Sequence, residues 1–237
     1  MTRRYDGVRR VLGSVGALVL GTVVVVLLAP GGLGTTVPVR VTSGDSASAF
    51  RRLNEVVADA PSWVGSLADR AGDGLVVALG LLLLWTAYRY RDARTLAGVL
   101  LTSVGTVVAY GLSEALKLVV DQARPCRTVP GAEVIAHCPA VGDWSFPSNH
   151  ATLAVGLAVG IAMLGPRLAA LALPLAAGAV LARVAAGVHY PHDVAAGATL
   201  GATVVIALLL VAMPLTTKLV SLLLNREPAG HWPSSTV

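Results

Sequence analysis

The chain has 237 residues, of which 55% are hydrophobic and 13% charged, with a net charge of +5 and a mean hydropathy of +0.73. Soluble domains carry about 25% charged residues, so this composition excludes an ordinary soluble enzyme and specifies an integral membrane protein. No basic stripe is interleaved with aromatics, which argues against a nucleic-acid partner.

Four arginines (Arg3, Arg4, Arg9 and Arg10) precede an apolar run over residues 11–30. Such a run is long enough to span a bilayer. Pro-Gly-Gly follows it in place of a small-x-small cleavage site, so residues 1–30 read as a retained first transmembrane helix. Residues 31–73 are a polar interlude, expected to be an extracytoplasmic interfacial segment. Within it Phe50, Leu53, Val56, Val57, Trp63, Val64 and Leu67 recur at 3–4 spacing, which predicts an amphipathic helix broken near Pro61. Residues 74–215 hold five further apolar runs, at 75–88, 96–120, 151–164, 168–187 and 193–213. Residues 216–237 remain as a cytoplasmic tail. The expected fold is all-α, a polytopic membrane protein of six transmembrane helices. Gly156, Gly160, Gly197 and Gly201 are among many small residues that permit close helix approach in lipid.

Six spans put both termini on one side. Arg3, Arg4, Arg9, Arg10, Arg89, Arg91, Arg94, Arg167, Lys218 and Arg226 fall on that side, ten of the eighteen basic residues. Only Asp6, Asp92 and Glu227 of the thirteen acidic residues accompany them. The bias points to cytoplasmic termini and to an extracytoplasmic face for the opposite loops.

Three polar clusters lie on that opposite face. Lys117 and Arg124-Pro125 stand seven residues apart, about two helical turns, so one helix would present both from one face. Pro125 predicts that the helix frays at Arg124. Arg offers a planar fork of donors and Lys a mobile charge, a combination suited to phosphate; basic residues snorkelling to headgroups have the same pattern. Glu114 is placed to pair with Lys117 at i, i+3. In Pro147-Ser148-Asn149-His150, Ser148 is placed as an N-cap, the free N–H groups after it form an anion site, and His150 sits on the first turn. In Arg183…His189…Asp193, the i, i+4 spacing can bring Asp193 to one ring nitrogen of His189 and leave the other free to attack; a surface His–Asp pair has the same spacing. A neighbouring histidine, His192, is expected to face the headgroup layer, and His137 and His231 to be structural or surface residues.

Cys126 and Cys138 share the loop after the first cluster. In an oxidising compartment they can form a disulfide; they can also remain thiols. With His137 they make a poor metal set, because no four-ligand spacing is present.

Taken in order, Lys-x6-Arg-Pro, Pro-Ser-x-His and Arg-x5-His-x3-Asp resemble the signature of the type-2 phosphatidic acid phosphatase superfamily, which shares its fold with vanadium haloperoxidases. The resemblance covers roughly residues 75–215. Asn149 stands where Gly is usual, and Ala182 where a Ser usually precedes the arginine. The resemblance implies a membrane lipid phosphatase needing no metal or other cofactor. It implies that His189 forms a phosphohistidine, that Asp193 orients it and that His150 serves as acid and then base. Lys117, Arg124, Ser148, Asn149 and Arg183 would bind the phosphate. The stretches around His150 and His189 look most like bacterial undecaprenyl diphosphate phosphatases. A polyprenyl diphosphate is therefore the expected substrate, with phosphatidic acid and phosphatidylglycerol phosphate as alternatives. A transporter or flippase that only binds the headgroup is the competing class. It would need the cations but neither the His–Asp pair nor the second histidine.

Overall fold

The structure is a computed structural model that describes residues 2–34, 37–132 and 137–225. Arg226 and His231 lie outside the described residues. The described residues form eight helices: α1 Thr2–Leu28, α2 Asp45–Ala58, α3 Ser62–Tyr90, α4 Ala93–Lys117, the single turn α5 Pro125–Thr128, α6 Asn149–Leu164, α7 Pro166–Ala185 and α8 Pro191–Leu224. Five of them (α1, α3, α4, α7 and α8) are long and apolar enough to cross a membrane. The expected count of six is not reached on that measure, because α6 has only 16 residues. It rises about 24 Å, short of a hydrocarbon core of about 30 Å.

Helix α8 is the centre of the bundle and packs on α1, α4 and α6, while α7 is wedged between α3 and α6. The approach of α8 to α6 is set by missing side chains. A Cβ on Gly197 would lie 2.3 Å from the Ser148 carbonyl oxygen, and one on Gly201 would lie 2.2 Å from that of Thr152. Only hydrogen at these two positions lets the start of α8 lie against the start of α6. Leu79, Leu83, Ile161 and Ala176 form one core between α3, α6 and α7. Large apolar side chains such as Leu81, Leu84, Val107 and Leu222 remain on the outside, as expected where the solvent is lipid.

Three boundaries differ from the sequence reading. The amphipathic stretch does break at Pro61, but residues 62–73 are not a separate interfacial helix. They are the first turns of α3, which continues unbroken to Tyr90. The last helix does not stop near residue 213; it runs through Pro214 to Leu224. Lys117 and Arg124 do not share a helix face. The chain leaves the helix after Lys117 because residues 119–123 pair their backbone with the segment before α2. Val39 N–H donates to Asp121 O at 2.8 Å, and Ala123 N–H donates to Val39 O at 2.9 Å.

Candidate active site

All three clusters meet at one end of the bundle, where α4 and α7 end and α6 and α8 begin. Arg124 has the extended backbone that a residue before proline favours, with φ −69° and ψ 150°, and Pro125 opens α5. Its side chain points inward and is almost fully engaged. Nε donates to Asp143 O at 2.8 Å, Nη2 to Asp143 Oδ1 at 2.9 Å and Nη1 to Val188 O at 3.2 Å. Lys117 Nζ lies 2.9 Å from Glu114 Oε1 and 3.5 Å from Asp143 Oδ1. Asp143 therefore joins the two cations that no shared helix face brings together. Burial alone would raise the Asp143 carboxyl, but Arg124 and Lys117 outweigh it and hold the group below the usual carboxylate range.

Ser148 occupies the N-cap position of α6, yet its side chain makes no capping bond. Its Oγ is buried without a hydrogen-bond partner among the described residues, as is Arg183 Nε. Buried polar atoms are rarely left unpaired; of the two residues, Arg183 lines the cavity described below and Ser148 stands beside Asn149, which lines it. Asn149 spends its side chain on α4, donating to Glu114 Oε1 at 2.6 Å and accepting from Ser113 Oγ at 2.7 Å.

His189 lies in the turn between α7 and α8, 2% exposed. Its Nδ1 is 3.5 Å from Asp193 Oδ2 and its Nε2 is 3.1 Å from Arg124 Nη1. An arginine can only donate, so Nε2 accepts and the ring is neutral with its proton on Nδ1, toward the carboxylate. Burial pushes its pKa down to about 4; Arg124 and Arg183 act in the same direction, against the opposing pull of Asp193. Asp193 Oδ2 also accepts from Ser145 Oγ and, at 2.8 Å, from Tyr190 N–H.

His192 does not face the headgroups. It stacks on Tyr190 with ring centroids 5.3 Å apart. Its Nε2 lies 3.1 Å from Asp193 Oδ1, and Ser46 Oγ of α2 meets its Nδ1 at 2.6 Å. The tight packing of α2 on Tyr190, through Phe50 with ring centroids 5.5 Å apart, draws this residue inward. His150, on the first turn of α6, is 2.5 Å from Asp73 Oδ1 of α3. Gly72 leaves room for the Arg183 side chain of α7, since a Cβ there would lie 2.8 Å from Arg183 Cδ.

A cavity of about 330 Å³ opens among these groups, lined by Lys117, Arg124, Asn149, His150, Arg183 and His189 together with Tyr110, Glu114, Pro139 and Asp143. Two imidazoles and three cations thus face one polar space. Among the described residues no group of three or more His, Cys, Asp or Glu side chains could hold a metal ion. Cys126 and Cys138 are joined as a disulfide with Cα atoms 6.1 Å apart, closing the loop beside Arg124. His137 is exposed in the same loop.

The profile of the PAP2 superfamily matches residues 96–216, just over half of the chain. The chain belongs to the PAP2 superfamily. Within it, the chain is 39% identical over 107 residues to decaprenylphosphoryl-5-phosphoribose phosphatase of Mycobacterium tuberculosis, covering 44% of this chain and 56% of that protein. It is 33% identical over 126 residues to the bacitracin transport permease protein BcrC of Bacillus licheniformis, covering 53% of this chain and 59% of that protein. The chain thus matches a little over half the length of each of these curated relatives. Among solved structures, a transmembrane PAP2 type phosphatidylglycerolphosphate phosphatase from Bacillus subtilis superposes with a TM-score of 0.49 at 16% identity, covering 82% of this chain and 93% of that one.

The PAP2 match takes in all three clusters, but not α2 or α3. Sequence reasoning missed Asp73, Asp143 and Ser145. Ser145 and Asp143 stand just before Phe146-Pro147-Ser148, close enough to the second cluster to have been noticed. Asp73 carried no local signal, since nothing in its neighbourhood sets it apart from Asp69.

Proposed function

We propose that this PAP2 protein is a membrane lipid phosphatase that hydrolyses a polyprenyl diphosphate through a phosphohistidine on His189, without a metal. The observation that carries the reading is the pairing of each histidine with its own carboxylate, His189 with Asp193 and His150 with Asp73, around one cavity ringed by Lys117, Arg124 and Arg183. A protein that only held or moved a headgroup would need the cations alone.

In this mechanism the terminal phosphate docks on Arg183 and Ser148, whose orphaned Nε and Oγ it satisfies, and on Lys117, Arg124 and the backbone N–H at Asn149. The Nε2 lone pair of His189 leaves Arg124 and attacks phosphorus. The bond from phosphorus to the leaving oxygen breaks, and protonated His150 gives that oxygen its proton. Neutral His150 then takes a proton from water. The water oxygen attacks the phosphohistidine, the phosphorus–nitrogen bond breaks, and inorganic phosphate leaves with His189 neutral again. Asp193 holds the Nδ1 proton throughout and stabilises the charge that grows on the ring. The cations meet the charge on the phosphoryl oxygens in the transition state.

The relatives and the setting support this substrate class. One relative is named for a decaprenyl-linked phosphate, and the cavity lies at the end of an apolar bundle where an amphiphile can keep its tail in lipid. The basic residues Arg89, Arg91, Arg94 and Arg167 gather at the opposite end, so the cavity faces away from the cytoplasm across the cell membrane. An oxidised Cys126–Cys138 pair suits that side. In this reading residues 74–215 are the phosphatase core, and residues 1–30 add a membrane helix to it.

Phosphate release by the purified protein from a polyprenyl diphosphate, phosphatidic acid and phosphatidylglycerol phosphate, each with and without chelator, tests the reading. The diphosphate should turn over fastest and chelator should leave the rate unchanged. Preference for either glycerolipid would move the substrate assignment, and a strict magnesium requirement would overturn the mechanism.

A further inference from the structure

Two of the three cations of the cavity, Lys117 and Arg124, are not open to an incoming phosphate. Asp143 Oδ1 lies 2.9 Å from Arg124 Nη2 and 3.5 Å from Lys117 Nζ, where a phosphoryl oxygen would be expected to sit. Glu114 also meets Lys117, but it is fixed to α4 at i, i+3 and tied to Asn149. Asp143 is different. It belongs to the loop between the disulfide and Ser145, next to Gly142 with φ +94°, and its side chain is 46% exposed while those of Lys117 and Arg124 are 9% and 6%. Its backbone carbonyl accepts from Arg124 Nε independently, and Trp144 O accepts from Nη2 at 3.3 Å. The carboxylate can therefore rotate away while the guanidinium stays where it is.

We propose that Asp143 is a built-in competitor for the phosphate site, a carboxylate that occupies Lys117 and Arg124 until a phosphate displaces it and that returns to help expel the product. This rests on the phosphatase reading above. Phosphate would enter where partners are lacking, at Arg183 Nε and Ser148 Oγ, and then take Lys117 and Arg124 from Asp143. The exchange trades one charge-assisted contact for another, so net affinity is smaller than three cations would otherwise give. A site built from three cations would hold inorganic phosphate after each turnover, and a tethered carboxylate shortens that stay without weakening the contacts made in the transition state. Anions at low concentration, such as metabolite carboxylates, meet the same barrier.

The competitor and a simple scaffold predict opposite signs. If Asp143 only positions Arg124, its removal weakens phosphate binding and raises KM. If it competes, Asp143→Asn binds inorganic phosphate about tenfold more tightly, the scale of one charge-assisted contact, and KM falls with it while kcat does not rise. The full chain in detergent micelles is titrated with inorganic phosphate and assayed on the lipid substrate, with Asp143→Ser as a second variant should the Asn form misfold. Unchanged or weaker phosphate binding in a folded variant would overturn the proposal, and continued His189-dependent hydrolysis in that variant would leave the phosphatase reading standing. Absence of both phosphate binding and hydrolysis in wild type would end both. The wild type gives an independent check. A structure with phosphate or orthovanadate bound should show Asp143 turned off Arg124 Nη2, and an Asp143–Arg124 contact kept beside the bound anion would contradict the proposal.

Discussion

The two histidine arms of the cavity are built in opposite ways. The His189 arm is buried: Asp193 is fully enclosed, its Oδ2 accepts from Ser145 and the Tyr190 backbone and its Oδ1 lies 3.1 Å from His192 Nε2, and Arg124 covers the far ring nitrogen. The His150 arm is a single contact to Asp73, whose side chain is 75% exposed, across a helix crossing. In the proposed reaction the first arm has one task, to attack along one line, and rigidity serves it. The second must give a proton to one oxygen and take one from another, which suits a ring with one tether.

That contrast can be broken by mutation. Asp193→Asn should be the most damaging change short of removing a histidine. It leaves the shape intact but presents the wrong hydrogen-bonding partner to Nδ1, so kcat should fall by about 10³–10⁴ with KM little changed. His150→Ala should cost about 10²–10⁴ in kcat on a lipid monophosphate, the range for one general acid–base group. The loss should be smaller on a diphosphate, whose leaving group needs less protonation. Equal losses on both substrates would count against His150 as the acid. Asp73→Asn should be the mildest. An exposed pair contributes up to about 1 kcal/mol, so the change should stay within about fivefold; a loss as large as that of Asp193→Asn would erase the distinction between the arms.

Acid sharpens the same contrast. His189 is buried with its pKa lowered from 6.5 to about 4. The unfolded chain binds that proton first as pH falls, so the stability contributed by neutral His189 is complete above about pH 6.5 and is lost as pH drops toward 4. Thermal unfolding of wild type should show this loss, and His189→Gln should flatten it.

Much of this was legible in the sequence. The apolar runs gave the bundle, and three short motifs gave the residues of both arms except Asp73 and Ser145. What could not be read was which partner each residue would find. Lys117 and Arg124 were placed on one helix by their spacing, but backbone pairing with Val39 pulls residues 119–123 out of the helix, and Asp143 joins the two side chains instead. His192 was placed among headgroups by its position at a helix start, yet α2 packs over it through Ser46 and Phe50. Such contacts link residues from 19 positions apart, as Arg124 and Asp143 are, to 146 apart, as Ser46 and His192 are, and periodicity carries no information about them. The Gly197 and Gly201 approach to α6 was visible only as a list of small residues; the structure shows that it brings Ser148 to Asp193, whose carbonyl accepts from Ser148 N–H at 3.0 Å.

The proposed reaction passes through a covalent bond between phosphorus and His189. Wild type and His189→Ala protein, mixed briefly with a diphosphate substrate labelled on its terminal phosphate and quenched in alkali, can be digested and read by mass spectrometry. An acid-labile phosphate should appear on the peptide carrying His189 in wild type and be absent from the variant, which should not turn over. Near-normal hydrolysis by His189→Ala, or label on any other residue, would contradict it.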